Sequence, residues 1–211
     1  AGDNYEVAMV AIDPDNGYIK ALVGGKDYDA SQVNMATGTG GSGRQAGSSF
    51  KTFTLVAAIE QGIDPNTMID ASATAKLPGW EVANINHTNY GTKSIADAFA
   101  VSSNTAFARL ILSIGPDKVV DVAKRMGITS PLTATGSLTL GSESVTPLEM
   151  ANAYATIANG GTHYDPECVE RIVDRNGSIV VDNSAPKGTR AISAEVAHAA
   201  TEVMKGVITK G

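Results

Sequence analysis

The chain begins with two apolar stretches separated by a polar turn. Residues 5–12 (YEVAMVAI) and 18–23 (YIKALV) are rich in apolar and β-branched side chains, and DPDNG lies between them. This pattern predicts a β-hairpin. Both strands carry apolar residues on both faces in places, which is typical of sheet strands that helices cover. Residues 24–43 are polar and glycine-rich without periodicity, and they predict a long connection.

The rest of the chain is dominated by apolar residues at helical spacing. With its capping and glycine signals, this pattern predicts helices over about residues 49–61, 94–101, 105–114, 116–127, 146–160 and 193–209. Residues 64–91 are irregular and predict packing loops over the core. Residues 168–173 and 178–181 flank an Asn-Gly turn and predict a second hairpin. Because an isolated hairpin is marginal in water, we expect further strands to complete the first sheet.

Composition narrows the class of protein without indicating a function. The 211 residues suit one large domain, or a domain with a small subdomain, and a hydrophobic content of 43% allows a true core. A net charge of -6 without a basic cluster argues against a nucleic-acid partner. No apolar run reaches transmembrane length, and no signal peptide opens the chain.

The residues that most often bind metals or form disulfides have no such pattern here. Cys168 is the single cysteine, which excludes an internal disulfide. We expect it to be a small residue in a semi-buried position. His87, His163 and His198 lie far apart and share no ligand spacing. We expect structural or surface roles for them rather than a metal site.

The stretch GSSFK at residues 47–51 has the chemistry of an activated nucleophile. Lys51 follows Ser48 by three residues, so on a helix both side chains lie on one face. A serine hydroxyl is a poor nucleophile unless an adjacent base takes its proton, and a desolvated neutral lysine can be that base. The N-terminus of the predicted helix adds free N–H groups that stabilise developing negative charge.

Ser-x-x-Lys is a short pattern that also arises by chance. Ser48 could be a plain helix N-cap beside a surface lysine. The chain contains a second match at Ser184 and Lys187, where an internal proline and a following glycine predict a solvated loop instead.

A second candidate motif, Ser102-Ser103-Asn104, lies in the short break between two predicted helices. Such a break exposes side chains into a cleft. Ser102 could pass a proton between Lys51 and a leaving amine, and Asn104 could hold a substrate amide. The alternative is that Asn104 only caps the helix that follows.

Together the two motifs, RQAGSSFK at 44–51 and SSNTAF at 102–107, resemble the transpeptidase domain of penicillin-binding proteins. The segments LGSESVTPLEMA at 140–151 and YATIANGG at 154–161 are similar to the class A, bifunctional branch. The resemblance covers essentially the whole chain. It implies a β-lactamase/transpeptidase-like α+β fold, in which helices pack an antiparallel sheet beside a mostly helical subdomain.

The resemblance also implies how the chain is organised. Residues 1–211 would be the N-terminal portion of one transpeptidase domain. Its parts would be a sheet hairpin at 1–25, a mostly helical region with both motifs at 44–161, a small hairpin at 162–192, and a helix returning to the sheet at 193–209.

The sequence departs from the family pattern in two respects. Ala46 and Thr52 occupy positions where the family often has proline, which is a conformational preference. The third family motif, Lys-Thr/Ser-Gly, does not occur, and residues 209–211 (TKG) have the wrong order. In the family this motif lies on a strand after the last helix. We therefore expect the chain to lack the C-terminal strands of the sheet, and a C-terminal fragment or second chain to carry them.

The activity implied by the resemblance is acyl transfer to and from Ser48. Ser48 would attack the penultimate D-alanine of a peptidoglycan stem peptide, Lys51 would accept its proton, and Ser102 would relay that proton to the departing D-alanine. Asn104 would hold the donor peptide. The Ser48 N–H would form half of the oxyanion hole, and the third-motif strand would form the other half. β-Lactams would acylate Ser48, and no metal or organic cofactor is implied.

Other functions remain open from the sequence. A serine β-lactamase shares both motifs but needs a carboxylate that activates water, for which Glu143 and Glu149 are the candidates. A D,D-carboxypeptidase differs only in using water as the acceptor. A β-lactam-binding sensor or inactive scaffold would be acylated without turnover, and a non-catalytic module would require both motifs to coincide by chance.

The resemblance finally implies a place in the cell. It predicts a membrane-anchored enzyme of cell-wall synthesis and cell shape on the extracytoplasmic face of the bacterial cytoplasmic membrane. An anchor and a glycosyltransferase domain would belong to the intact protein, and other cell-wall synthesis proteins are possible partners.

Overall fold

The core of the fold surrounds one helix that is buried on all sides. In the computed structural model, which describes residues 5–41 and 43–211, α1 spans Lys51–Glu60, and its residues 51–58 are all buried. The rings of Phe50 and Phe53 lie 4.5 Å apart between centroids at its start. Because neighbours cover every face of α1, it needs no polar stripe and tolerates apolar residues all round.

Within the described residues, five further α-helices share one core with α1, and they begin at or next to the residues that the capping signals predict. They are α2 (Ile95–Ala100), α3 (Asn104–Ile114), α4 (Pro116–Arg125), α5 (Pro147–Ala158) and α6 (Ala194–Lys210). The hydroxyls of Ser94 and Ser193 accept a backbone N–H at the starts of α2 and α6. Thr146 and Glu149 form the predicted capping box of α5. Helix α1 contacts α3, α4 and α6 directly.

The strands of the described residues pair two by two, and every pair is antiparallel. The pairs are β1 (Met9–Ile12) with β2 (Ile19–Val23), β3 (Arg44–Gln45) with β8 (Ser144–Val145), β4 (Met68–Asp70) with β7 (Thr92–Ser94), β5 (Thr74–Leu77) with β6 (Trp80–Ala83), β9 (Thr162–His163) with β12 (Thr189–Arg190), and β10 (Arg171–Val173) with β11 (Ile179–Asp182). Helices and antiparallel strands together confirm the predicted α+β class.

The opening hairpin forms as predicted but is shorter and less covered. Strand β1 begins at Met9, not at residue 5, and residues 1–4 lie outside the described residues. Its side chains alternate, so Val10 and Ile12 turn inward while Met9 is 51% exposed. Helix α5 covers the inner side of β1. The expected cover of this hairpin by helices is therefore found on the inner side of β1.

The prediction that residues 64–91 form irregular loops is wrong. They contain β4, β5 and β6, with a tight hairpin in which Leu77 pairs with Trp80. Gly79 takes the left-handed conformation that this turn requires, with φ +79°. The strands are only three or four residues long, too short for a clear alternation of apolar and polar positions.

The C-terminal part of the chain follows the prediction more closely. Strands β10 and β11 form the second hairpin, and Ser184 lies in a loop, as its proline-containing context predicts. Cys168 is exposed, so the expectation that it is semi-buried is wrong. Among the residues described, no helix has both the length and the apolarity to cross a membrane.

Candidate active site

Ser48 lies in a tight turn directly before the buried helix α1. A single 3₁₀ turn spans Gly47–Phe50, and α1 itself begins at Lys51. The predicted α-helix from residue 49 therefore starts two residues later, and the serine stands on the 3₁₀ turn. The Ser48 side chain is exposed, whereas Phe50 at the other end of the turn is fully buried. The turn thus presents a hydroxyl to solvent from a rigid base.

Two glycines allow this turn to meet a distant segment of the chain. Gly47 has φ +59°, and a Cβ atom at Gly141 would lie 2.2 Å from the Gly47 nitrogen. Both positions therefore require glycine, one for its backbone conformation and the other for close approach as well. Strand β3, just before the turn, pairs with β8, and Gln45 Nε2 donates to the Ser142 carbonyl at 3.0 Å. The segment around residues 141–145 therefore holds the turn in place.

Tyr154 of α5 holds the same turn through hydrogen bonds of its hydroxyl group. Its hydroxyl donates to the Ser49 carbonyl at 2.9 Å and lies 2.8 Å from Thr52 Oγ1. Because the single Tyr154 proton goes to Ser49, the Thr52 hydroxyl must donate to Tyr154. Thr52 stands where the family often has proline, so this departure adds a hydrogen bond at the base of the turn.

Lys51 is the centre of the site. Its side chain is 1% exposed, and Nζ lies 3.0 Å from Ser48 Oγ, 2.9 Å from Ser102 Oγ, 2.7 Å from the Ser102 carbonyl and 2.8 Å from Asn104 Oδ1. The structure thus brings together the four residues that the sequence singled out. The alternative of a surface lysine beside a capping serine is wrong, because Lys51 is buried and Ser48 makes no side-chain cap.

Burial lowers the pKa of Lys51 from 10.5 to about 8. At pH 7 about one tenth of the molecules then carry a neutral amine. A neutral amine has two N–H donors, which the Ser102 carbonyl and Asn104 Oδ1 can accept because neither oxygen can donate. Its lone pair is left for a hydroxyl proton from Ser48 or Ser102. The site can therefore take a proton from a serine without losing a buried hydrogen bond.

The second motif forms a strained turn between α2 and α3. Ser102 has φ +54°, which is uncommon for a residue with a side chain. Ser103, not Asn104, is the N-cap of α3, since its hydroxyl accepts the Ala106 N–H. The alternative role of Asn104 as a cap is therefore wrong. Asn104 Nδ2 instead donates to the Ala83 carbonyl at 3.0 Å, which leaves Oδ1 facing Lys51.

Asn84 contacts this motif from behind, and sequence reasoning missed it. Its side chain is 3% exposed, and its Oδ1 accepts from the hydroxyl of Ser103 at 3.0 Å. No local pattern marks an asparagine in an irregular stretch as buried. Only its position just after β6, had that strand been predicted, would have suggested that it turns toward the core.

A cavity of about 240 Å³ opens over these residues. Ser48, Lys51, Ser102 and Tyr154 line it, together with Val207 of α6. A larger cavity of about 430 Å³ lies between β1, α5 and α6, and apolar side chains dominate its wall. That larger space contains no serine–lysine pair, so the chemistry belongs to the smaller cavity.

Glu149 is held away from this chemistry. Its buried carboxylate accepts hydrogen bonds from the N–H and hydroxyl groups of Thr129 and Ser130 and from the Thr146 N–H. Burial acts to raise the pKa of Glu149, but these hydrogen bonds together hold it below its usual value. A carboxylate engaged on all sides is not available to activate water, so Glu149 does not fit the base of a β-lactamase.

Comparison with known proteins agrees with the motifs. A family model described as the penicillin binding protein transpeptidase domain matches residues 7–211. Penicillin-binding protein 2D of Bacillus subtilis is 37% identical over 190 residues, which cover 87% of this chain and 27% of that protein. Penicillin-binding protein 1A of Mycobacterium tuberculosis is 34% identical over 218 residues, covering 95% of this chain and 26% of that protein.

A solved structure gives the same result for the fold. The PonA1 protein from Mycobacterium tuberculosis, in complex with penicillin V, aligns with a TM-score of 0.84 and 33% identity. The alignment covers 95% of this chain and 57% of that one. The chain spans about a quarter of the length of the two relatives described above.

Proposed function

The chain belongs to the penicillin-binding protein transpeptidase family, and from this we propose that it is the N-terminal portion of a serine D,D-transpeptidase domain that cross-links peptidoglycan stem peptides. One observation carries the proposal. Lys51 Nζ lies within 3.0 Å of both Ser48 Oγ and Ser102 Oγ, in a buried position that lowers the pKa of the amine to about 8. This is the arrangement that a serine nucleophile and a proton relay require.

In the proposed acylation, Ser48 Oγ attacks the carbonyl carbon of the penultimate D-alanine. Neutral Lys51 takes the Ser48 proton as the new C–O bond forms. Ser102 then passes a proton from Lys51 to the nitrogen of the terminal D-alanine as its C–N bond breaks. Lys51 is neutral again at the end of this step, and the acyl group remains on Ser48.

The second half of the reaction reverses these roles. The amine of a neighbouring stem peptide attacks the ester carbonyl, and its proton passes through Ser102 and Lys51 back to Ser48 Oγ as the C–O bond breaks. Asn104 supports this arrangement in two ways. Its Oδ1 accepts from Lys51, and the second N–H of its amide is available for the donor peptide.

We propose that a further strand completes the site. It would carry the Lys-Thr/Ser-Gly motif, receive the substrate carboxylate and add a second N–H to the oxyanion hole beside that of Ser48. Exposed apolar side chains support this proposal. Met9 of β1 is 51% exposed, and Val207 and Ile208 of α6 are 43% and 88% exposed. Further strands laid against these side chains would bury them, whether they come from more of the same chain or from a second fragment.

The remaining functions differ in what happens after acylation. A carboxypeptidase would pass the acyl group to water, and a sensor or inactive scaffold would retain it. Turnover of a stem-peptide mimic, with and without an amine acceptor, separates these functions. Since peptidoglycan is the proposed substrate, we place the enzyme at the extracytoplasmic face of the membrane, with a membrane anchor and cell-wall synthesis partners in the intact protein.

The experiment that tests the proposal is intact-mass analysis of the full protein after incubation with penicillin V. We expect one adduct, on the peptide that contains Ser48, and its loss in Ser48→Ala. Ser184→Ala is the matched control, because it changes the other Ser-x-x-Lys sequence, and it should keep the adduct. An adduct that survives Ser48→Ala, or none on a protein containing the third motif, would refute the proposal.

A further inference from the structure

We infer that Asn84 is a positioning residue, whose buried amide fixes the turn that presents Ser102 and Asn104 to Lys51. The inference rests on the proposed acyl transfer at Ser48 and adds a residue to it. Asn84 touches no reacting atom, so it would act only through the turn.

The first support is that both ends of the Asn84 amide are fully used. Nδ2 lies 2.9–3.1 Å from the carbonyls of Ala71, Ser72 and Thr88, so its two N–H groups serve three acceptors and one of them is shared. Oδ1 accepts from Ser103 Oγ at 3.0 Å and from the Thr105 N–H at 3.1 Å. With 3% of its surface exposed, the amide has no alternative partners in water. Two separate segments, at residues 71–72 and at residue 88, are thus tied to the start of α3.

The second support is the strain in the turn itself. Ser102 has φ +54°, and the backbone N–H groups of Ser102 and Ser103 donate to Phe99 and Ala98 at the end of α2, each at 2.9 Å. A side-chain-bearing residue stays in this region only where its surroundings fix it. Ser103 is fully buried and donates its one hydroxyl proton to Asn84, because Asn84 Oδ1 can only accept; the same Ser103 oxygen accepts the Ala106 N–H.

The third support is that two neighbouring residues hold the whole motif. The Ala83 carbonyl orients the Asn104 amide at 3.0 Å, and Asn84 holds the residues on either side of Asn104. If Asn84 is lost, the end of β6 no longer fixes Ser103, and Ser102 is free to leave its left-handed conformation. Ser102 Oγ would then move from its position 2.9 Å from Lys51 Nζ, and water would reach the amine.

The buried amide of Asn84 could also stabilise the fold without any effect on the reaction. The two roles differ in what they change. A purely structural residue lowers the stability of the fold but leaves the reaction of the folded molecules unchanged. A positioning residue lowers the rate constant of the chemical step and changes the titration of Lys51 in molecules that are still folded.

The test uses Asn84→Ala and Ser103→Ala in the full protein, with penicillin V as the acylating probe. At saturating penicillin, and per folded molecule, we expect the acylation rate constant of Asn84→Ala to fall by about tenfold or more. Ser103→Ala makes a smaller change, because it removes the hydrogen bond to Asn84 and the cap on the Ala106 N–H but keeps the Asn84 amide. It replaces Asn84→Ala in the test if that variant does not fold. In the double variant the Ser103 change should add little, because both act through the same contact.

Ser193→Ala is the matched control. Ser193 is the N-cap of α6, and its hydroxyl accepts the Val196 N–H at 3.2 Å. Ser193→Ala removes a serine cap from a helix, as Ser103→Ala does, but Ser193 makes no hydrogen bond to Asn84. It should lower stability while leaving the acylation rate constant unchanged.

A second readout does not depend on acylation. The titration of Lys51, followed by NMR of the labelled side chain, should shift to higher pH in Asn84→Ala and Ser103→Ala, because burial is what holds the amine below its ordinary value. An unchanged midpoint together with an unchanged rate constant would overturn the inference. If the wild type is not acylated at all, the proposed function fails, and the Lys51 titration alone then decides the role of Asn84.

Discussion

Lys51 and Glu149 are the two charged side chains that are buried within residues 5–41 and 43–211, and their surroundings have opposite effects on their ionisation. Lys51 is 1% exposed and Glu149 is 8% exposed. The groups that are hydrogen-bonded to the Glu149 carboxylate all donate to it. These hydrogen bonds stabilise the ionised form and, although burial acts to raise the pKa of Glu149, hold it below its usual value. Lys51 faces two hydroxyls, a carbonyl and an amide oxygen, and burial lowers its pKa to about 8.

The difference shows what separates a structural charge from a reactive one. The donors around Glu149 suit only one protonation state, so its charge is fixed and it holds loops together. The hydroxyls around Lys51 can either accept or donate, so they satisfy both the charged and the neutral amine. Burial alone does not make a group reactive, whereas burial among partners that serve both states does.

The largest effect is expected from removing the ability of Lys51 to become neutral. Lys51→Arg keeps a positive charge, but a guanidinium does not lose its proton in proteins. We expect acylation of Ser48 by penicillin V to slow by about 10² to 10⁴-fold, measured by time-resolved mass spectrometry. Lys187→Arg makes the same change in the other Ser-x-x-Lys sequence and should have no effect. A variant that retained wild-type acylation would show that Lys51 is not the base.

At Glu149 we expect the opposite result, in which a substitution lowers the stability of the fold and leaves the reaction unchanged. In Glu149→Gln, the new NH₂ group meets a backbone N–H whichever oxygen it replaces, because Thr129, Ser130 and Thr146 all donate there. The free energy of unfolding should fall by about 1–3 kcal/mol in denaturant titrations. Acylation per folded molecule should not change. Glu143→Gln, which makes the same change outside this set of donors, should leave both quantities close to wild type.

The acid stability of the protein should report on the same carboxylate. The folded pKa of Glu149 is lower than its unfolded value, so its contribution is present above the unfolded value of 4.5 and is lost as pH falls through the folded pKa. Wild type should therefore lose more stability than Glu149→Gln between about pH 5 and pH 3. If the stabilities of wild type and Glu149→Gln fell in parallel with pH, the lowered pKa of Glu149 would be contradicted.

The pH dependence of acylation should report on Lys51. Because only the neutral amine takes the Ser48 proton, the rate should rise about tenfold per pH unit below about pH 8 and level off above it. The measurement is the acylation rate constant against pH at fixed penicillin V concentration. A rate that is flat from pH 6 to about 9 would mean that another group takes the proton.

The smallest effect is expected at Tyr154, which touches the nucleophile turn but not Lys51. Tyr154→Phe removes the bonds to Ser49 and Thr52 while keeping the ring. Since one neutral hydrogen bond contributes about 0.5–1.5 kcal/mol, acylation should slow by about two- to tenfold. Thr52→Val should have a similar or smaller effect, and the double variant should be no worse than Tyr154→Phe. An additive double variant would show that the two hydroxyls act separately.

The sequence predicted the residues of the site better than the backbone that carries them. Ser48 and Lys51 could be paired from their spacing alone, because a helical turn brings residues three apart together. Ser102 and Asn104 could be joined to them only through the family resemblance, since nothing local links positions fifty residues apart. The role of Ser103 as the cap was missed because serine and asparagine are equally good caps, and the choice depends on Asn84.

The strands show the limits of local pattern more clearly. Strands β4 to β6 are a few residues long, and their pairing depends on neighbours that local sequence does not reveal. The Pro78-Gly79 turn was the one local sign of that hairpin. The exposed outer side of β1 could not be predicted for a related reason, because apolar residues on both faces of a strand do not show which face is covered.

The contact between Gly47 and Gly141 also constrains the order in which the protein folds. The two residues are far apart in sequence, and the turn cannot take its final shape until they meet. Closing such a long loop is slow compared with forming the helix that follows the turn. The nucleophile turn is therefore completed only after residue 141 has been synthesised and has reached Gly47. A growing chain would accordingly carry Ser48 for some time as an ordinary, unreactive serine.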